Sequence, residues 1–154
     1  MEIREDDLTG EAIARFLRDH LDHMRAVTPP ESVHALDRAG LGAPEITFWS
    51  VWEGEELVAC GALKELDPRS GEVKSMRTAE ARRWEGIGTR MLEHIEREAM
   101  RRGYDSLKLE TGAMSEFAAA RALYERHGFV RCGPFGDYTD DPNTVFMEKT
   151  LAPS

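Results

Sequence analysis

The sequence predicts an α/β domain in which a mixed, mostly antiparallel central sheet is flanked by about four helices. Three observations carry this expectation. Segments with apolar residues at three-and-four spacing alternate with short runs of strand formers, and the runs of the first half are joined by tight Gly- and Pro-containing turns. In the second half, strands follow helical segments. A chain of 154 residues, 41% apolar and 32% charged, has the size and composition of one ordinary globular unit, so residues 1–154 are read as a single domain.

Met1 to Glu5 reads as a short first strand. Thr9 is placed to cap a helix carrying Ile13, Phe16, Leu17, Leu21 and Met24 on one face, and Pro29-Pro30 ends it. Pro30 at a first helical position, with Glu31 behind it, starts a second short helix through Val33 and Leu36 that closes around Gly40 to Pro44. The period then changes. Ile46 to Trp52 and Leu57 to Leu66 flank Glu53-Gly54-Glu55 as a hairpin, with Trp49 and Trp52 as packing residues on opposite faces of one strand. Asp67-Pro68-Arg69-Ser70-Gly71 turns the chain into a strand from Glu72 to about Thr78.

Trp84, Ile87, Met91, Leu92, Ile95 and Ala99 then form the apolar stripe of a helix, with Arg90, Glu93, Glu96, Arg97 and Glu98 on its other face. Glu93–Arg97 and Glu98–Arg102 have the spacing of stabilising pairs, Arg101 and Arg102 suit the negative end of the helix dipole, and Gly103 stops it. Ser106 to Thr111 is a strand, Ser115 to His127 a helix, Phe129 to Cys132 a strand and Thr144 to Thr150 the last one.

The chemically informative segment is Arg82-Arg83-Trp84-Glu85-Gly86-Ile87-Gly88-Thr89, where that helix begins. Side chains are absent at Gly86 and Gly88, so backbone can approach an anion while the unpaired first-turn N–H groups point at it, and two guanidinium groups add full charge. The pattern suits a diphosphate. A Rossmann fingerprint would need a third glycine where Met91 stands, and no Gly-Lys-Ser/Thr occurs for a P-loop. The structural alternative is that Gly86 and Gly88 only let the helix pack close to a sheet.

These residues resemble a family. Arg83-x-x-Gly86-x-Gly88 matches the Arg/Gln-x-x-Gly-x-Gly/Ala signature of the GNAT superfamily of acetyl-CoA-dependent N-acetyltransferases, and Leu123-Tyr124-Glu125-Arg126-His127-Gly128-Phe129 resembles its second signature, Leu-Tyr-x-x-x-Gly-Phe. The order of elements agrees over nearly the whole chain, and Pro29-Pro30-Glu31-Ser32-Val33-His34 and Gly136-Asp137-Tyr138 resemble the small bacterial YsnE-like subgroup. The resemblance implies that the strand before the signature splays from its neighbour, so that backbone at Met76, Arg77 and Thr78 holds the pantetheine arm and acetyl carbonyl. The pyrophosphate would meet N–H groups of Arg83, Trp84, Glu85, Gly86, Ile87, Gly88 and Thr89, with Arg82 or Arg83 offering charge, and the adenine end would reach the surface. One departure is visible: many members carry an asparagine seven residues before the signature tyrosine, and this chain has Phe117 there.

By the same resemblance Tyr124 is the candidate acid. A thiol with a pKa of about 8.5 departs more easily when a hydroxyl of pKa about 10 donates a hydrogen bond to it. A packed helix tyrosine is the other reading. A lysine-like amine of pKa about 10.4 must lose a proton, at a cost of about 4 to 5 kcal/mol at neutral pH, so either a base or an acceptor of lower pKa is required. Glu110, beside Thr111-Gly112, is the candidate base and Glu72 its rival, and either is otherwise a strand-end carboxylate. His20, His23 and His34 lie in the region that borders the acceptor pocket in this family, as substrate contacts, proton relays or ordinary helix histidines. Tyr138 sits in an aromatic, acidic loop, Phe135 to Asn143, which either closes over an acceptor cation or is a solvated turn.

The expected reaction is therefore acetyl transfer from acetyl-CoA to a primary amine by direct attack, because Cys60 and Cys132 belong to no Cys-His nucleophile arrangement. A CoA-holding module without turnover and a transferase of longer acyl groups are the alternatives. A net charge of −9 argues against nucleic acid and suits a cationic small-molecule or peptide amine, or solubility alone. No metal is expected, since His20 and His23 stand three apart without a cysteine or a His-Glu-x-x-His pattern. Two cysteines make no disulfide framework, and Met1 to Asp7 has neither the basic start nor the apolar run of a signal peptide. With no stretch of membrane-spanning length, the cytoplasm is the expected compartment. A homodimer is the default for a small enzyme, and the acceptor is set by pocket shape that no motif encodes.

Overall fold

In a computed structural model describing residues 1–151, the strand-forming runs assemble into one seven-stranded sheet. The strands are β1 (Glu2–Glu5), β2 (Ile46–Glu53), β3 (Glu56–Asp67), β4 (Ser70–Thr78), β5 (Ser106–Gly112), β6 (Val130–Cys132) and β7 (Thr144–Thr150), in the spatial order β1-β2-β3-β4-β5-β7-β6. Every neighbouring pair is antiparallel except β4 with β5. The helices are α1 (Glu11–Val27), α2 (Arg38–Leu41), α3 (Ile87–Arg101) and α4 (Ala118–Arg126).

Four local expectations are corrected. Thr9 does not cap α1: its hydroxyl donates to Asp7 at 2.6 Å, and Gly10 takes the cap position without a side-chain bond. The second helix is shorter and later than its apolar pattern suggests. Pro30–Ser32 makes a single 3₁₀ turn, and α2 starts only where Asp37 accepts a bond from the Gly40 N–H at 2.8 Å. Trp84 leaves the α3 stripe altogether. It lies ahead of the helix at φ +70° and is 85% exposed, because the chain turns left-handed there and again at Gly86 before the helix can begin. Of the two expected pairs on α3, Arg102 reaches Glu98 at 3.0 Å, whereas Glu93 and Arg97 form no ion pair among the described residues.

Each face of the sheet carries its own apolar layer. On one, α3 lays Ile87, Met91, Leu92, Ile95 and Ala99 against Val58, Leu63, Val73, Leu107 and Met147. On the other, α1 and α2 bring Ile13, Leu17 and Leu41 onto Phe48, Cys60 and Ala62. Trp49 joins the first layer, and the Trp52 indole N–H donates to Ser50 on the opposite face, as period two requires.

The sheet opens between β4 and β5. Their pairing runs from Ser70–Ser106 to Glu72–Lys108 and stops there. β4 continues along β3 as far as Thr78, while β5 continues along β7 as far as Gly112, so each strand follows its antiparallel partner and a wedge forms between them. A bulge sharpens the divergence. Cys60 pairs with Arg77 and Ala62 with Lys74, which leaves Ser75 and Met76 opposite the single residue Gly61, with Ser75 at φ +54°.

Phe117 closes the far wall of the wedge. The Arg121 guanidinium donates to the carbonyls of Gly112 at 2.6 Å and Met114 at 2.9 Å, and this holds the turn so that the Phe117 ring lies on the Gly112 backbone. A methyl group at position 112 would overlap that ring. Gly112→Ala should therefore lower stability by about 1–3 kcal/mol in urea unfolding, the range for overpacking a filled site.

Candidate functional site

The open end of the wedge meets the start of α3. Gly86 occupies the cap position at φ +80° and supplies no side chain, so the N–H groups of the first turn keep no protein cap. A Cβ at Gly86 would meet nothing within 4 Å, and one at Gly88 would make ordinary contact with Leu123 at 3.4 Å. Close helix-to-sheet packing therefore demands glycine at neither position. Backbone geometry does at 86, and at 88 packing leaves room for a side chain.

The two arginines ahead of this turn have different roles. Arg82 is bound to Glu85 at 3.0 Å, Glu56 at 3.2 Å and Glu53 at 3.5 Å, tying the turn to the β2–β3 hairpin and leaving its charge matched. Arg83 is exposed, lies 5.4 Å over the Trp84 ring and has no carboxylate partner among the described residues. Arg83 is thus the guanidinium available to an anion.

A cleft of about 390 Å³ runs from this turn through the wedge to α1. Met76, Arg77 and Thr78 line its middle, Arg82, Arg83, Trp84, Gly86, Ile87, Gly88 and Thr89 its α3 end, and His20 and His23 its α1 end. Glu85 faces Arg82 and stays outside it. Tyr124 and Phe117 line both this cleft and an adjoining cavity of about 90 Å³ that also takes in Glu110, Lys74 and His20.

The second signature places Tyr124. Gly128 at φ +90° ends α4 and returns the chain so that the Phe129 N–H reaches the Tyr124 carbonyl at 3.0 Å and the Phe129 ring supports the Tyr124 ring edge-on at 5.8 Å. Burial, and secondarily the Glu110 carboxylate, raise the pKa of the phenol, so it stays protonated at neutral pH. Burial likewise pushes Glu110 up to about 7, against the pull of Lys74 and with help from Glu72.

Glu72, the rival base, is already engaged. It is 1% exposed, accepts from Lys74 at 3.1 Å and from the Tyr138 hydroxyl at 2.7 Å, and Lys74 also donates to that hydroxyl at 2.9 Å. Tyr138 is therefore a support for this trio and lines neither cavity. His34 packs edge-on against Tyr138 at 5.0 Å, behind it. The late loop is docked as well, with Phe135 on Phe146 at 5.8 Å and Asp141 accepting from the Ser32 hydroxyl. His20 is buried, and burial followed by the charges of Arg77 and His23 lowers its pKa to about 4, so it is neutral. His23 stays exposed.

The sequence reading missed Lys74. Its signal was Glu72-x-Lys74, opposite charges two apart and so on one face of a strand that is otherwise buried. No group of three His, Cys, Asp or Glu residues is placed to hold a metal ion, and no helix is long and apolar enough to cross a membrane, among the described residues. The Glu110 carboxyl should titrate with a midpoint of about 7 in carbon-13 NMR, and Lys74→Met should move that midpoint higher, since Lys74 is the group that holds it down.

The acetyltransferase (GNAT) family model matches residues 13–129. The chain is 54% identical over 151 residues to the uncharacterized N-acetyltransferase YsnE of Bacillus subtilis (strain 168), covering 98% of this chain and 100% of that one. It is 47% identical over 149 residues to the uncharacterized N-acetyltransferase YedL of Escherichia coli (strain K12), covering 97% and 94%. The crystal structure of a GNAT family acetyltransferase from Elizabethkingia anophelis with acetyl-CoA bound shares the fold, with a TM-score of 0.71 and 17% identity over 97% of each chain. With both signatures set around one wedge and relatives matched over nearly their full length, the chain belongs to the GNAT acetyltransferase family.

Proposed function

We propose that the protein moves an acetyl group from acetyl-CoA to a primary amine by direct attack in a ternary complex. One observation carries the reading: a single cleft has an uncapped helix N-terminus at one end and, where it meets the adjoining cavity, a protonated phenol beside a carboxyl of pKa about 7. The first-turn amides of α3 and Arg83 suit the diphosphate, and the β4 backbone that has no β5 partner beyond Glu72 suits the pantetheine arm and thioester carbonyl. Acetyl-CoA supplies the acyl carbon that the amine attacks and a thiolate that departs. Glu110 takes the proton the amine loses, and the Tyr124 hydroxyl donates toward the departing sulfur.

The thiols give no competing route. Cys60 is buried, and burial pushes it up to about 12, far from the thiolate form that attacks carbonyl carbon. Cys60 and Cys132 are both free, which fits the reducing cytoplasm in which we place the enzyme.

Thiol release from acetyl-CoA should be measured against amines, amino acids, peptides and aminoglycosides, beside calorimetry with CoA and acetyl-CoA. Turnover with at least one amine is expected. Tight cofactor binding with silence across the panel would favour a CoA-holding module, and faster reaction with propionyl- or succinyl-CoA would reassign the acyl group. Tyr124→Phe should keep cofactor affinity and lose turnover by about tenfold or more. For Glu110 the sign follows from its role as a base: activity should fall as pH drops through about 7, and Glu110→Gln should lack that limb. An unchanged pH profile in that variant would remove Glu110 from the mechanism.

A further inference from the structure

We infer that the acceptor is an amino acid whose carboxylate is held by the Arg77 guanidinium; the inference rests on the acetyl-transfer reading and names its substrate class. The argument begins with strand register. Arg77 pairs with Cys60, and residues paired across antiparallel strands share a face. Cys60 packs with Ile13, Leu17 and Phe48 under α1, so the Arg77 side chain lies on the α1 side, whereas Met76 packs into the α3 layer. The same strand therefore turns Met76 toward the cofactor half of the cleft and the Arg77 cation toward the other half.

That cation is unmatched. The other partly buried arginines each reach oxygen: Arg82 has three glutamates, Arg102 has Glu98 and Thr47, and Arg121 has two carbonyls. Arg77 makes no such bond among the described residues, although it is half-buried and lines the cleft. Glu80 and Glu116 line the same cleft but form no ion pair with Arg77 among the described residues, and two other carboxylates are committed elsewhere. Asp6 accepts from Ser50 at 2.6 Å and from the Leu8 N–H at 2.7 Å, and Glu72 is held by Lys74 and Tyr138.

A second group shares the deficiency. His20 is 6% exposed, lines the cleft and feels the Arg77 charge, and its Nδ1 is buried without a partner. A guanidinium without an anion and an imidazole nitrogen without a partner, on the acceptor side of one cleft, together fit a carboxylate. The acceptor amine then lies toward Glu110 and Tyr124. The chain's net charge of −9 suggests the opposite kind of ligand, but screening over about 8 Å makes the local charges decide.

The test compares thiol release for amino acids, their carboxamides and the matching 1-aminoalkylphosphonates, in wild-type protein and in Arg77→Met, with acetyl-CoA calorimetry of both proteins as the check on folding. Wild type should prefer the amino acid over its amide by at least about tenfold in kcat/KM, the scale of a charge-assisted hydrogen bond, and Arg77→Met should bring that ratio close to one. Equal use of acid and amide by wild type, or an unchanged ratio in the variant, overturns the inference while leaving acetyl transfer standing. Preference for the phosphonate overturns the carboxylate assignment. If no amine is turned over, the acetyl-transfer reading fails separately, and calorimetric titration of amino acids into CoA-loaded protein decides the role of Arg77: heat that vanishes in the variant supports it, and no heat in wild type overturns it.

Discussion

The parting of β4 from β5 after Glu72 is the constraint on which the rest of the molecule depends. A parallel pair whose members each have a longer antiparallel partner cannot stay joined once those partners diverge. The bulge opposite Gly61 adds twist to β4 at that place. Unpaired backbone in the middle of a sheet is costly unless something satisfies it. The wedge is thus a place where the fold leaves backbone polar groups without a strand partner, with α3 set across its mouth and Phe117 across its far wall.

The charges behind the wedge follow from that opening. Lys74 and Glu72 lie on one face of β4, and a buried pair of this kind stands only with its remaining hydrogen-bonding capacity filled, which Tyr138 does. The late loop is consequently part of the interior scaffold. With Glu72 engaged in this way, Glu110 is the carboxyl left without a direct partner, and burial raises its pKa.

Much of this was legible in the residues. Alternation and three-and-four spacing reported the sheet and helices, since burial on one face writes itself into sequence with the period of the backbone. The two signatures placed the uncapped start of α3 and the packing of Tyr124 because glycine and aromatic requirements there are local. Trp84 was misplaced in the α3 stripe, since apolar spacing does not register a left-handed turn at a non-glycine residue. The helix through Val33 and Leu36 failed in a related way, because Asp37 offered a better cap farther along. The division of labour between Arg82 and Arg83, the docking of Tyr138 and the facing of Arg77 all depend on strand register between distant segments, which no local pattern carries.

The tie from Arg82 to Glu53 and Glu56 links two parts of the chain that meet only in the folded state. Ordering of the turn ahead of α3 is thereby settled when the chain folds, so a ligand bound there would pay little for it. The same tie is made of partly exposed ions, so rising ionic strength loosens the turn as well as screening any anion that approaches it. Under the proposed acetyl-CoA reading, cofactor affinity carries a double dependence on salt, one part from the guest and one from the host.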